Sequence, residues 1–307
     1  MSIARMSTLH NFSRYFTISV ERYENHCMGG ILYQGGRAPG ILFDNFLEMS
    51  LHMDNIFNQM SCPKRVLSER GFCGRKALQP TVRGWPTYKN GELATFLVYV
   101  KYRNYATWQG EITWLEGGKK ESFESFLQML LLINQVLGGS HMERTNANET
   151  NKNQIEENET NICQIAVDSF KNGLLAGHAQ NPYLNRIEEF HGVMRLAEAM
   201  ENLIEIRITD AENPVTQLDG GNIITDKVFR AYRLGGKKAT FLIKILFREH
   251  STWQGTIYWR EAGEKQSFRS FMEMIYLIAS ADGNADSKNE YEDRSYMDNS
   301  SRKLVQG

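Results

Sequence analysis

The sequence predicts an α+β chain of four strand–strand–helix (ββα) units, two in each half, with antiparallel sheets carrying helices on one face. Three observations lead there. A long internal repeat divides the chain into similar halves, period-two hydrophobic runs give way to helical spacing, and a polar Asn/Glu/Thr-rich stretch separates the halves.

The repeat is clearest between Thr95–Ile133 and Thr240–Ile278, where 20 of 39 positions are identical without a gap. Both segments carry Thr-Trp-Gln-Gly (107–110 and 252–255), then Ile-x-Trp, a turn region with Gly and Lys, and Ser-Phe-x-Ser-Phe-x-x-Met. Upstream, Ile18-Ser-Val20 matches Ile165-Ala-Val167, Gly30 matches Gly177, Phe43 matches Phe190, and Met53-Asp-Asn-Ile56 matches Met200-Glu-Asn-Leu203. Upstream and downstream blocks also align with each other, Phe16 on Phe96, Gly30 on Gly110, Phe43 on Phe123 and Met49 on Met129. Four units follow, beginning near Phe16, Phe96, Cys163 and Phe241, and occupying about 16–60, 95–137, 162–206 and 239–280.

Each unit reads alike. In the second, residues 96, 98, 100 and 102 are apolar or aromatic, a strand with one buried face. Its partner runs from about Trp108 to Leu115 and places Trp108, Ile112 and Trp114 together. Gly110 leaves room there for a bulky neighbour or a bulge. After Gly117-Gly118 the period changes. Phe123, Phe126, Leu127, Leu130, Ile133 and Leu137 fall on one helical stripe, with Ser122 as N-cap. A hairpin with one helix is too small to stand alone. Two units therefore predict a four-stranded sheet under two helices, and the two halves predict a pair around a pseudo-twofold axis. The outer sheet face is then open, or closed by the other half.

The halves span 1–137 and 161–282. Between them Gly138-Gly-Ser-His-Met142 has the composition of a cloning scar, and the following stretch to Asn161 has hardly an apolar residue. Residues 138–160 read as a disordered linker and 283–307 as a disordered tail. The scar predicts two chains joined by engineering, natively a heterodimer; a natural linker is the alternative.

With 41% hydrophobic and 23% charged residues, and 16 Phe, 13 Tyr and 5 Trp, the chain has ample material for a core. No run of 18 apolar residues and no apolar leader occurs, which predicts a cytoplasmic protein that binds no membrane. Four cysteines form no Cys-x-x-Cys pair and seven histidines show no ligand spacing, so neither metal nor cofactor is expected. The net charge of −1 excludes a strongly basic nucleic-acid binder. No nucleophile–base or paired-carboxylate arrangement stands out, so the chain does not read as an enzyme.

The segments Gly177–Tyr183 with Phe190 and Met200–Leu203, and Phe247–Gly255 with Ile257–Trp259 and Ser267–Ser270, resemble short uncharacterised bacterial proteins with a Thr/Ser-Trp-Gln-Gly, Ile-x-Trp, Ser-Phe-x-Ser block. Residues 95–133 are similar but carry Glu124 in place of Arg, and the upstream block of the first half lacks the Pro-Tyr pair. The resemblance implies no activity.

Two groups of residues are candidates for binding. Opposite the tryptophan face, one half presents Tyr99, Lys101, Arg103 and Gln109, and the other Lys244, Arg248, Gln254, Tyr258 and Arg260. Basic and aromatic side chains interleaved on a sheet can hold phosphates and stack bases, although a solvated sheet face looks the same and Glu111 interrupts the first set. The second group is a basic loop with Lys64, Arg65, Arg70, Arg75, Lys76 and Arg83 against Glu69. The expected function is a non-catalytic protein-binding or adaptor module, its halves partnering each other and an unknown protein. The alternative is a nucleic-acid-binding regulator using the open face or the basic loop.

Overall fold

The computed structural model describes residues 14–35, 37–68, 70–72, 89–138, 161–171, 173–181, 186–204 and 235–281. The tail, the linker beyond Gly138, and Arg75, Lys76 and Arg83 lie outside them. The protein is α+β, with two antiparallel sheets and four helices among the described residues.

In the first half, β1 (Tyr15–Glu24), β2 (Cys27–Gln34) and β3 (Arg37–Phe43) precede α1 (Phe46–Met60). Then β4 (Ala94–Tyr102), β5 (Gln109–Trp114) and β6 (Lys119–Phe123) precede α2 (Phe126–Val136). The second half repeats the order with β7 (Ile162–Lys171), β8 (Leu174–Gln180), β9 (Ile187–His191) and α3 (Gly192–Ile204), then β10 (Ala239–Phe247), β11 (Gln254–Trp259), β12 (Glu264–Phe268) and α4 (Phe271–Ser280). Three strands precede each helix, not the two expected. Each half therefore holds a six-stranded sheet, β3-β2-β1-β4-β5-β6 in one and β12-β11-β10-β7-β8-β9 in the other.

The extra strands are sheet edges. β6 reads Lys-Lys-Glu-Ser-Phe and β12 reads Glu-Lys-Gln-Ser-Phe, exposed along most of their length, so they show no hydrophobic alternation. Charged, short edge strands also resist pairing with other molecules. Ser122 falls within β6, and the helix cap is the next serine, Ser125, whose hydroxyl accepts from Gln128 N at 3.0 Å. Ser270 and Asn45 do the same for Glu273 N and Glu48 N.

One local device recurs four times. Val20, Val100, Val167 and Ile245 lie opposite Gly30, Gly110, Gly177 and Gly255, and the strand bulges immediately afterwards. A Cβ on any of these glycines would collide with the carbonyl oxygen of Ser19, Tyr99, Ala166 or Lys244. The bulge inserts one residue and reverses which side chains face inward. Tyr102, expected on the buried face, is 60% exposed, and Phe247 at the matching position is 57% exposed.

Phe16, Ile18, Phe96, Val98, Ile165 and Phe241 point from the sheets into one apolar core that runs through both halves. Across the seam α1 packs on α3 and α2 on α4. α4 is buried at every position but Ala279. On the opposite sheet faces, the central residues Thr17, Ser19, Tyr33, Thr95, Gln164, Ala166, Thr240 and Leu242 are buried as well. The face expected to be open, or closed by the other half, is thus buried along its middle strands.

Candidate functional site

The Thr-Trp-Gln-Gly motif divides its work residue by residue. Thr107 Oγ1 accepts from Phe126 N and Thr252 Oγ1 from Phe271 N, both at 2.8 Å, tying the loop to the first turn of its helix. Trp108 is buried, edge-on to Phe57 and Phe126 with ring centroids 5.7 and 5.4 Å away. Trp253 meets Phe271 in the same manner at 5.2 Å. Gln109 holds both the N–H and the carbonyl of Asn104, at 3.0 and 3.1 Å, and Gln254 does so for Glu249 at 3.0 and 2.9 Å. The glycine admits the bulge.

Those glutamines close tight turns. Tyr105 and Ala106, and likewise His250 and Ser251, have φ between 51° and 55°, the left-handed region that disfavours residues with a Cβ. The turns meet at the seam. Tyr105 stacks on His250 with centroids 4.1 Å apart and rings 13° from parallel. Ser125 Oγ donates to Ser251 O at 2.6 Å, and Ser270 Oγ donates to Ala106 O at 2.7 Å. The same contact is made in both directions by matching residues.

Arg103 was expected on the outer face with Tyr99 and Lys101. It is 3% exposed instead, because the bulge turns it inward. Its guanidinium donates to Asp54 Oδ1 at 2.6 Å and Asn58 Oδ1 at 2.9 Å, and lies 5.3 Å from the centre of the Phe57 ring. Burial pulls its pKa down, opposed by the Asp54 charge. Arg248 makes the corresponding contact with Glu201 at 2.8 Å, in a more exposed setting. The helix acids Asp54 and Glu201 occupy matching places in the upstream repeat. That alignment was the one available signal for these pairs.

The other candidates spread out. Tyr99 stacks on Tyr15 at 4.4 Å, and Lys101 binds Glu111 at 2.8 Å beside Lys120 on the same carboxylate. Lys244 lies opposite Thr256 and Tyr258 opposite Leu242, while Arg260 follows β11 in the turn.

The described part of the basic loop runs onto the other half. Arg65 pairs with Asp54, so it joins Arg103 on one carboxylate. Arg70 donates to Ser267 O and Oγ at 2.8 and 2.6 Å, and Arg269 donates back to Ser68 O at 2.8 Å. Phe72 packs 6.1 Å from Phe241 and 5.6 Å from Trp259, with its N–H on Ser280 Oγ. Lys64 is exposed.

A cleft beside this loop, lined by Asp54, Arg65, Arg103, Trp108, Glu273 and Tyr276, holds about 30 Å³. That is room for roughly two waters, far less than the roughly 300 Å³ at which ligand pockets begin. Burial pushes the Cys27 and Cys163 thiols up, away from the thiolate form. Among the described residues no group of three His, Cys, Asp or Glu side chains could hold a metal ion. Nor is any described helix long and apolar enough to cross a membrane.

No protein-family model, curated protein or solved structure matches this chain.

Proposed function

We propose that this protein is a non-catalytic protein-binding module whose halves work as a pair around a pseudo-twofold axis, natively as two chains. The observation that carries this is the reciprocal seam contact. Ser125 reaches Ser251 O while Ser270 reaches Ala106 O, and the matching residues Tyr105 and His250 stack on each other. Equivalent residues touch only near a twofold axis. The most repeated motif in the chain is therefore engaged in holding loop, helix and second half together.

Among the exposed apolar residues, the pair best placed for a partner is the aromatics that the bulges turn outward, Tyr102 and Phe247, next to the seam loops. Exposed apolar groups recurring at one position favour a protein partner. Nucleic acid is less well served, since Arg103, Arg65 and Arg70 are engaged within the fold.

Cutting the folded chain with a protease site placed between Gly138 and Asn161 tests the pairing. The product should elute near the intact 35.3 kDa species; two separate monomers would refute it. Tyr102→Ala with Phe247→Ala should change the unfolding free energy by no more than about 0.5 kcal/mol while abolishing partner binding. Binding of single-stranded DNA or RNA that falls steeply with salt would favour nucleic acid instead.

A further inference from the structure

We infer that the seam selects an unlike half over a second copy of the same half, an inference that rests on the pairing proposed above. The selection lies where the first hairpin of each half touches the opposing upstream helix. The β1–β2 turn is Asn25-His26, and Gly173 stands in the turn between β7 and β8, after an asparagine in the sequence.

Two-residue hairpins of this kind need left-handed residues, and Asn-Gly is the favoured pair. Gly173, with φ of 76°, conforms; His26 holds φ of 61° against its own Cβ. The strained histidine has a use across the seam. Its Nδ1 lies 3.3 Å from Oε1 of Glu198 on α3, a buried carboxylate oxygen that makes no hydrogen bond of its own. Next to it Cys27 Sγ fills the space left by Gly192, where a Cβ would lie 3.1 Å from the sulfur.

The matching contact on the other side is inverted in size. Gly173 faces Asn45 and Glu48 of the first half so closely that a Cβ would meet Glu48 Cβ at 3.2 Å and Asn45 Oδ1 at 3.3 Å. On one side a large hairpin meets a small helix start; on the other a small hairpin meets a large one.

Like pairs lose this fit. Two first halves would bring the His26 imidazole onto Asn45 and Glu48, where a Cβ alone would already sit 3.2–3.4 Å from its neighbours, tighter than ordinary contact. Two second halves would set Gly173 against Gly192, opening a void and leaving Glu198, among the described residues, with Arg195 of its own helix, 2.7 Å away. Both like pairings are therefore selected against, one by crowding and the other by a buried carboxylate oxygen without its cross-seam imidazole.

The test uses the full chain, cut between Gly138 and Asn161 after folding. Isotope-labelled and unlabelled cut protein are mixed, unfolded together, refolded by dilution and read by native mass spectrometry. Unlike pairs should dominate, with like pairs at least about tenfold below their statistical share, a factor worth about 1.4 kcal/mol. Like pairs at the statistical share would overturn the inference while leaving pairing intact; monomers alone would overturn both.

A measurement on the uncut chain guards against poor refolding. Gly173→His should lower the unfolding midpoint well beyond Gly263→His, which imposes the same left-handed strain at φ of 69° with nothing within 4 Å of an added Cβ. Equal shifts for the two variants would remove the crowding on which the selection depends.

Discussion

Arg103 and Arg248 hold the same place in the two halves and meet different surroundings. Arg103 and Asp54 are both 3% exposed, whereas Arg248 and Glu201 are 32% and 20% exposed. Removing one partner of a buried pair strands the other charge, so Arg103→Ala should cost about 3 kcal/mol, the low end for such a break because Arg65 stays on Asp54. Arg248→Ala should cost about 0.5 kcal/mol or less. Urea midpoints decide between this and equal losses. Tyr23 gives a pH signature at the same scale. Burial, then the Glu198 charge, pushes its phenol up to about 12. Unfolded tyrosine releases its proton near pH ~10, so the unfolded chain ionises first. Stability from this group is intact below that pH and is lost as the pH rises towards 12. Tyr23→Phe should flatten the fall in midpoint over that interval relative to the parent protein; an unchanged fall would contradict the assignment. Side-chain roles were only partly legible in the sequence. The two tryptophans are buried, as their place on the core side of the alternation implies, and they meet Phe57, Phe126 and Phe271. The outer-face arginine was not legible, since a single inserted residue after Val100 reverses the alternation that places it.

The four glycines opposite the bulges make the element scale testable. Gly110→Ala would drive a Cβ into Tyr99 O, which is backbone and cannot step aside. Gly118, unlike Gly110, has a left-handed φ, 61°, and faces open space. Gly118→Ala should therefore cost about 1–2 kcal/mol from strain alone, and Gly110→Ala clearly more. Similar losses would mean that the sheet can shift to accept the methyl. The glycine itself was visible in the sequence at all four positions, and with it the second strand of each unit. The third strands were not. A strand recognised by alternation must bury one face, and β6 buries only Phe123 of its five residues. Its charges serve solubility at the sheet edge, so the pattern that would reveal it is absent for a physical reason. The helix starts were misplaced by the same omission: Ser122 and Phe123 belong to the strand, and the second Ser-Phe of the motif begins the helix.

At the scale of the whole molecule the decisive feature is one core shared by two halves. Trp253→Ala removes a large buried ring, a loss of about 3–5 kcal/mol. If the core is shared, calorimetry should show one transition moving as a unit, and the Trp108→Ala protein should behave alike. Two transitions, with only one displaced, would mean that the halves are stable separately. The repeat implied two similar halves but not that their helices meet, and the seam could not be read because His26, Gly173 and Gly192 carry no periodic signal. α4 is buried at nine of its ten positions and so has no face suited to water. A half made in excess would display such a helix to the cell. If the native species is two chains, their synthesis must be matched in amount, and any surplus of one becomes a substrate for chaperones and proteases. Keeping two coding regions under one promoter, or within one reading frame, meets that demand for equal dosage.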